Sequence, residues 1–548
     1  MPNQLTITIN DKKMTIEKGT QLSTLVPQFQ PNFKFPIIAA HVNNELWELR
    51  KKIIDDCEIQ FLDMTTKAAY RVYQRSAVFL MLYAAKSVLG KKTRITVQHS
   101  LNKNYYCEID GKSIDQTILN QIEEKMRQAA AEGLPIDRHS MPVEEAVKIA
   151  QELGLDDKVL TLKYRRTSNV NFYKIDWFYD YFFGAMAPDT GCITTFALRE
   201  EKDGFVLVFP SATDPVQLSE LKRPKMLTQV LHESNKWAKI LGIDTVGALN
   251  EKICGGQKGS VIRVNEALHE KRTASIADAI HQRGSKLVLI AGPSSSGKTT
   301  FAARLGVHLR VNGLTPHIIS MDHYYLDRDR IPYDEFGQPD LEALDAIDVP
   351  QFSGDLDKLM HGETVQIPYF NFLTGKREYK GHFIALREND VLVVEGIHGL
   401  NGKISDHIPA KDKYKIFISA LTQLNLDDHN RIPTSDTRLM RRIVRDSRTR
   451  GADAKRTFEM WPSVTRGEER NIFPFQEHAD AVFNSALVYE MCVLKLYAEP
   501  LLFKLTKADP EFAEARRLVK FLDCFMGIPA DEVPNNSLLR EFIGGSVF

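Results

Sequence analysis

The 548-residue sequence lacks any excess of charge: 71 Lys and Arg face 71 Asp and Glu. Bulk attraction to nucleic acid or to an anionic membrane is thereby excluded, and binding of a polyanion would need a local patch. Cysteine is scarce, six in all, and the closest two, Cys492 and Cys524, stand 32 positions apart. With no CxxC pair there is no zinc clamp or dithiol redox motif, and the thiols read as buried groups in a reducing compartment. No stretch approaches the roughly 18 consecutive apolar residues of a membrane span. The opening MPNQLTITINDKKMTIEKG alternates polar and apolar residues where a secretory leader would set an apolar run behind a basic start. No membrane association and a cytoplasmic address are expected.

What is present is an ordinary globular composition, 43% hydrophobic and 26% charged, long enough for three to five domains at about 100–200 residues each. Residues 4–16 alternate Leu5, Ile7, Ile9 and Met14, Ile16 around Asn10-Asp11, the period-2 signal of a hairpin. Apolar runs at 36–42 and 58–62 complete a small β domain, expected over 1–63. Helical spacing begins at Val78, Leu82 and Ala85, and strand-like runs follow at 94–97 and 105–109, so an α+β domain is expected over 64–212. Residues 213–284 are mainly helical and read as a connector. From Lys286 strands and helices alternate, the pattern of a parallel sheet covered on both faces. This unit is expected to span 285–508, with a helical extension over 509–548.

The strongest signal is the apolar strand Leu287-Val288-Leu289-Ile290 followed by Gly292-Pro293-Ser294-Ser295-Ser296-Gly297-Lys298-Thr299 and an amphipathic helix. This is GxxxxGK[ST] in its required strand–loop–helix context. Gly292 and Gly297 let backbone N–H groups turn toward a polyphosphate, Lys298 reaches the β and γ phosphates, and the Thr299 hydroxyl can ligate Mg²⁺. A nucleoside triphosphate is therefore expected. Asp322 follows Ile318-Ile319, where a second parallel strand ends. A carboxylate at that edge can accept a proton from an attacking hydroxyl and touch the metal, or it can simply cap the next helix. Glu395 ends the apolar run 391–394, where it suits a Mg²⁺ shell. Arg438, Arg441, Arg442 and Arg445 recur at i, i+3, i+4, i+7, so four guanidinium groups share one helix face. Like charges at that spacing repel unless anions neutralise them, which points to a lid closing over a phosphoryl group.

In order, GPSSSGKTT, SMDHYY, DAIDVPQF, GETVQIPYFNF, VLVVEGIHGLN and RLMRRIVRDSRTRG resemble the motifs of the uridine kinase and phosphoribulokinase family over roughly residues 285–490. The resemblance implies ATP and Mg²⁺ as cofactors and phosphorylation of a small-molecule hydroxyl, typically the 5′-hydroxyl of a pyrimidine nucleoside. It assigns ATP contacts to Gly292, Ser294, Ser295, Ser296, Gly297, Lys298, Thr299, Thr300 and Arg450. It makes Asp322 the general base, with Lys298, Arg442 and Arg445 in catalysis and Thr299, Glu395 and Asp322 around the metal. Tyr325, Asp340, Phe370, Phe372 and Arg377 fall where the family holds its acceptor. One departure is clear: Gly375 stands where the family places a histidine that reads the pyrimidine. Losing a buried hydrogen-bonding group weakens discrimination, so a sugar or other polyol is the alternative acceptor.

The N-terminal half resembles threonyl-tRNA synthetase in another way, with 3–63 like a TGS domain of β-grasp fold and 64–212 like the second additional domain that edits mischarged tRNA. That domain carries H-x-x-x-H and C-x-x-x-H, a spacing that sets two ligands on one helix face. Here the positions are Arg75 and Phe79, then Phe182 and Met186, so the resemblance predicts no metal-dependent editing. The half is then free to bind RNA, a nucleotide or another protein, or to pair copies of the chain, and a homo-oligomer is expected. The fold class is thus multi-domain: a β-grasp and an α+β domain, a helical connector, and a C-terminal α/β P-loop kinase with a parallel sheet. A nucleotide-sensing, RNA-binding regulator is the alternative of a different class, and the intact Asp322, Lys298, Thr299 and Glu395 stand against it.

Overall fold

A computed structural model describes residues 4–548 except 11, 112–113, 213, 373 and 423. The alternating start folds as an antiparallel hairpin of Gln4–Ile9 and Lys12–Glu17. Its turn uses Asn10 at φ 47°, a conformation asparagine tolerates; the other turn residue read from the sequence, Asp11, lies outside the described residues. Cys57–Asp63 adds to Gln4–Ile9 in parallel, and Ile37–Val42 and Glu45–Glu48 extend the sheet antiparallel on its far side. The helix Leu22–Phe29 buries Leu22 and Leu25. Five mixed strands and one helix make a β-grasp layer. The helix and the four-residue edge strand Glu45–Glu48 were not read from the pattern.

The helix Lys67–Leu89 is the axis of the next unit. Tyr73, Phe79, Leu80, Met81 and Leu82 are all fully buried, so the helix is apolar around most of its girth and its sequence shows only a weak stripe. Thr66 caps it, its hydroxyl accepting from the Ala69 N–H at 3.3 Å. A four-stranded antiparallel sheet, ordered Ala197–Glu201, Gly204–Val208, Asn104–Ile109, Ile95–Leu101, and a three-stranded sheet led by Phe178–Tyr181 share its core.

Three helices, Lys225–Leu241, Val246–Cys254 and Lys258–Arg283, lead to the C-terminal half. Its sheet is fully parallel, ordered Thr315–Ser320, Asp390–Glu395, Leu287–Ala291, Lys413–Ser419, Ala481–Asn484. The central strand Leu287–Ala291 is buried at every residue, each large side chain contributing about 1.5–3 kcal/mol of transfer free energy. Such a sheet places ligands at the carboxyl ends of its strands.

The halves also interlock. The loop 424–431 leaves the C-terminal half after Lys413–Ser419 and enters the other. The Asp428 carbonyl accepts from the Val97 N–H at 2.8 Å, and the Asn425 side-chain amide donates to the Val97 carbonyl at 2.8 Å. Thr161 donates to the Leu426 carbonyl at 2.9 Å. Lys158 meets Asp427 at 2.7 Å with both side chains fully buried, and His429 bonds Asp180 at 2.6 Å. Among the described residues no helix is long and apolar enough to cross a membrane.

Candidate active site in the C-terminal half

The loop after Leu287–Ala291 takes its shape from two glycines. A Cβ at Gly292 would stand 2.0 Å from the Ile418 carbonyl oxygen of the neighbouring strand, and Gly297 adopts φ +88° as it turns into the helix Lys298–Val311. Lys298 donates to the carbonyls of Gly292 (3.0 Å) and Pro293 (3.3 Å), so its ammonium lies across the loop. The buried hydroxyl oxygens of Ser295 and Ser296 have no hydrogen-bond partner among the described residues. A cradle of backbone at a helix N-terminus, with a lysine over it and polar groups unsatisfied, fits a polyphosphate.

Two carboxylates meet this loop. Asp322 sits half-buried in a single turn after Thr315–Ser320, its N–H directed to the Ser320 hydroxyl at 3.4 Å. Glu395 ends Asp390–Glu395 and, unlike most charged strand ends, is only 4% exposed. The Thr299 hydroxyl donates to it at 3.4 Å. Burial first, then the Asp322 charge, pushes the Glu395 carboxyl up to about 7. A buried acid opposed by a second acid is a place for a cation. No larger cluster of His, Cys, Asp or Glu converges among the described residues. Two hard carboxylates and a threonine hydroxyl suit Mg²⁺, which takes its remaining ligands from phosphate and water.

The arginine helix, Thr434–Thr449, divides its cations between two tasks. Arg438 is buried against Glu468, with the second contact at 2.7 Å, and donates to the Ser294 carbonyl at 3.3 Å. Arg441 is fully buried, bonds Glu490 at 2.5 and 3.0 Å and donates to the Ser295 carbonyl at 3.3 Å. Both brace the phosphate loop from behind. Arg442 donates to the Ser294 hydroxyl at 2.9 Å and, with Arg445 and Arg450, gathers around Asp446 at 3.1, 2.7 and 3.8 Å. The four-arginine face read from the sequence is therefore split. Nor is the helix a free flap: it is packed into the core along most of its length.

These groups line a cleft of about 1210 Å³. It brings together Ser294, Ser295, Gly297, Lys298, Thr299, Asp322, Glu395, Arg442, Arg445 and Arg450, with Tyr325 and Phe372 on its wall. Other expected positions fall outside its lining. Gly292 and Ser296 belong to the loop but do not line the cleft, and Thr300 donates instead to Glu541 at 3.0 Å. Phe370 is 3% exposed and supports the wall, 5.6 Å from the Tyr325 ring and 5.1 Å from that of Phe372. Asp340 accepts from the Glu342 N–H at 3.1 Å, and Arg377 pairs with Asp348 at 3.1 Å.

Glu342 and Glu541 are among the cleft residues that escaped the sequence reading. Glu342 has a buried carboxylate oxygen without a partner, and burial, opposed by Arg442, leaves its carboxyl raised to about 7. Glu541 comes from the C-terminal segment to the first turn of the Lys298–Val311 helix. Neither belongs to a motif.

In the N-terminal half, three of the four metal-type positions are apolar and close-packed. Phe79 and Phe182 stand edge to face with ring centroids 5.1 Å apart, and Met186 is fully buried beside Ser76. Arg75, the fourth, donates to the Ala185 carbonyl.

Loop, parallel sheet and carboxylate pair together define a P-loop nucleotide-binding domain. The model of the Phosphoribulokinase / Uridine kinase family matches residues 287–490, so the C-terminal half contains a domain of that family. A uridine kinase of Macrococcus caseolyticus is 27% identical over 198 residues, 36% of this chain and 86% of that protein. The N-terminal region is similar to the threonine–tRNA ligase of Clostridium kluyveri, 26% identical over 184 residues. That match covers 33% of this chain and 29% of the ligase, so the chain spans under a third of the length of such relatives. A solved possible uridine kinase from Bacillus stearothermophilus aligns with 36% of this chain and 89% of its own at 17% identity. The TM-score of that alignment is 0.25.

Proposed function

We propose that this protein transfers the γ-phosphoryl group of ATP to the hydroxyl of a small molecule, with a nucleoside 5′-hydroxyl as the leading acceptor. The observation that carries the reading is the Asp322–Glu395 pair set against Lys298 and Thr299 in one aromatic-walled cleft. Asp322 takes the acceptor proton as the hydroxyl oxygen bonds the γ phosphorus. The bond from that phosphorus to the bridging oxygen breaks, and ADP departs with the electron pair. Lys298, Arg442, Arg445 and Arg450 offer positive charge to the phosphoryl oxygens, while Arg438 and Arg441 keep the loop in place. Mg²⁺ held by Thr299, Glu395 and Asp322 would neutralise charge on the phosphate oxygens.

Gly375 favours a second reading, a sugar or polyol acceptor. It sits at φ +69° in the turn between Tyr369–Asn371 and Lys376–Glu378, and a Cβ there would meet Arg328 at 2.9 Å. A histidine would have to displace Arg328, so base recognition through this position is missing. The test is ADP release with ATP, Mg²⁺ and a panel of uridine, cytidine, ribose, fructose and glycerate. Turnover with a nucleoside alone supports the leading reading, turnover with a sugar or glycerate alone supports the second, and no turnover with any overturns both.

A further inference from the structure

Away from the kinase cleft, a cavity of about 960 Å³ lies where the Lys67–Leu89 helix of the N-terminal half faces the helix Phe512–Leu522 of the C-terminal half. Lys67, Arg71 and Arg75 recur at every fourth residue and all line it, so one helix face carries three cations into the space. Arg517 and Lys520 line it from the opposite helix. Carboxylates answer only part of this charge. Arg71 pairs with Glu514 at 2.7 Å, and Arg517 pairs with Glu514 at 2.8 Å and Asp436 at 2.7 Å. Lys67 and Arg75 have no carboxylate partner among the described residues.

Arg75 is the more telling of the two. Its guanidinium lies against Gly184, where a Cβ would stand 2.6 Å from its Cζ, and among the described residues its side chain hydrogen-bonds only the Ala185 carbonyl. Burial, with Arg71 and Arg517 nearby, pulls its pKa down from the ordinary arginine value. Like charges four residues apart on a helix oppose each other, and a half-buried cation without a counter-ion adds a desolvation cost. Such a row is stable when an anion completes it, and two unpaired cations match a phosphate dianion. Phe183, Phe458, Trp461 and Phe503 supply an apolar wall for the rest of a ligand.

We propose that this cavity binds a small organic phosphate, with phosphoryl oxygens on Lys67 and Arg75 and the organic part against the aromatic wall. The site stands independently of the kinase reading. Arg517 also holds Asp436, in the first turn of the arginine helix, so the cavity touches the element that carries Arg442 and Arg445.

Binding of phenyl phosphate to the full chain, followed by titration calorimetry, tests the proposal. The chain carries Lys298→Ala, which removes the P-loop lysine from competition, and turnover plays no part in the readout. One saturable site is expected, weakened at least about tenfold by Lys67→Gln and by Arg75→Gln, with inorganic phosphate weaker and neutral benzyl alcohol not bound. Thermal unfolding of each variant checks the fold. Should the half-buried Arg75 prove essential for folding, Lys67→Gln at the cavity face decides alone. Absence of phenyl phosphate binding, affinity unchanged by the substitutions, or equal binding of benzyl alcohol overturns the proposal. Inorganic phosphate binding as tightly as phenyl phosphate overturns the organic part of it.

Discussion

Phe79 and Phe182 meet edge to face at the centre of the N-terminal half, with Met186 buried beside them, where the editing-type pattern would set metal ligands. In the C-terminal half, Glu395 is buried and Glu342 half-buried with one enclosed carboxylate oxygen, and both carboxyls are raised to about 7. The first pocket gains stability from what fills it, through area removed from water and close packing. The second gives stability up, because an enclosed carboxylate facing another acid disfavours its own charged form. A site lined for chemistry would thus be told apart from one filled for packing by the sign of its effect on folding.

That contrast can be broken from either side. The largest expected effect is in the packed pocket: Phe79→Ala should cost about 3–5 kcal/mol of stability by leaving a cavity, read by denaturant unfolding, with nucleotide affinity of the folded fraction unchanged. In the polar cleft, Asp322→Asn should lower kcat about 10²-fold or more while ATP binding persists. Full turnover in that variant would remove Asp322 from the chemistry.

Glu395→Gln tests the sign directly. The folded-state pKa lies above the ordinary value, so the folded protein holds this proton more tightly than the unfolded chain does. Glu395 therefore weakens the fold progressively from about pH 4.5 to about pH 7 and fully above. Without Mg²⁺, the variant should gain about 1–3 kcal/mol at pH 8, nothing at pH 4, and lose activity. The smallest effect is expected at the acceptor side: Gly375→His should cost about 1–2 kcal/mol, from the positive φ and the Arg328 contact, without improving uridine selectivity.

The phosphate loop was legible because phosphate binding uses contiguous residues: strand, glycines, lysine and helix start follow one another from Leu287 to Thr299. Asp322 and Glu395 were legible because strand ends in a parallel sheet converge on that loop. Glu342 and Glu541 were not, since only the folded chain brings them there, Glu541 from 241 positions beyond Thr300. The arginine helix shows the limit well. Its spacing revealed a shared face, but Glu468 and Glu490, which turn Arg438 and Arg441 into braces, lie on other helices. Leu22–Phe29 was missed because Pro27 interrupts its helical signal, and Glu45–Glu48 because four residues carry too little alternation.

The loop 424–431 makes the two inherited halves thermodynamically one. Lifting them apart would strip Lys158 from Asp427 and His429 from Asp180, and would leave the Val97 amide without its acceptor. Partial opening therefore strands buried charge on both sides before any chain entropy is recovered. Calorimetry should show a single transition whose van't Hoff and calorimetric enthalpies agree, despite a length that would ordinarily melt in stages. The fusion is in this sense a joint held from within, and a cut through the helical connector alone should leave the halves associated.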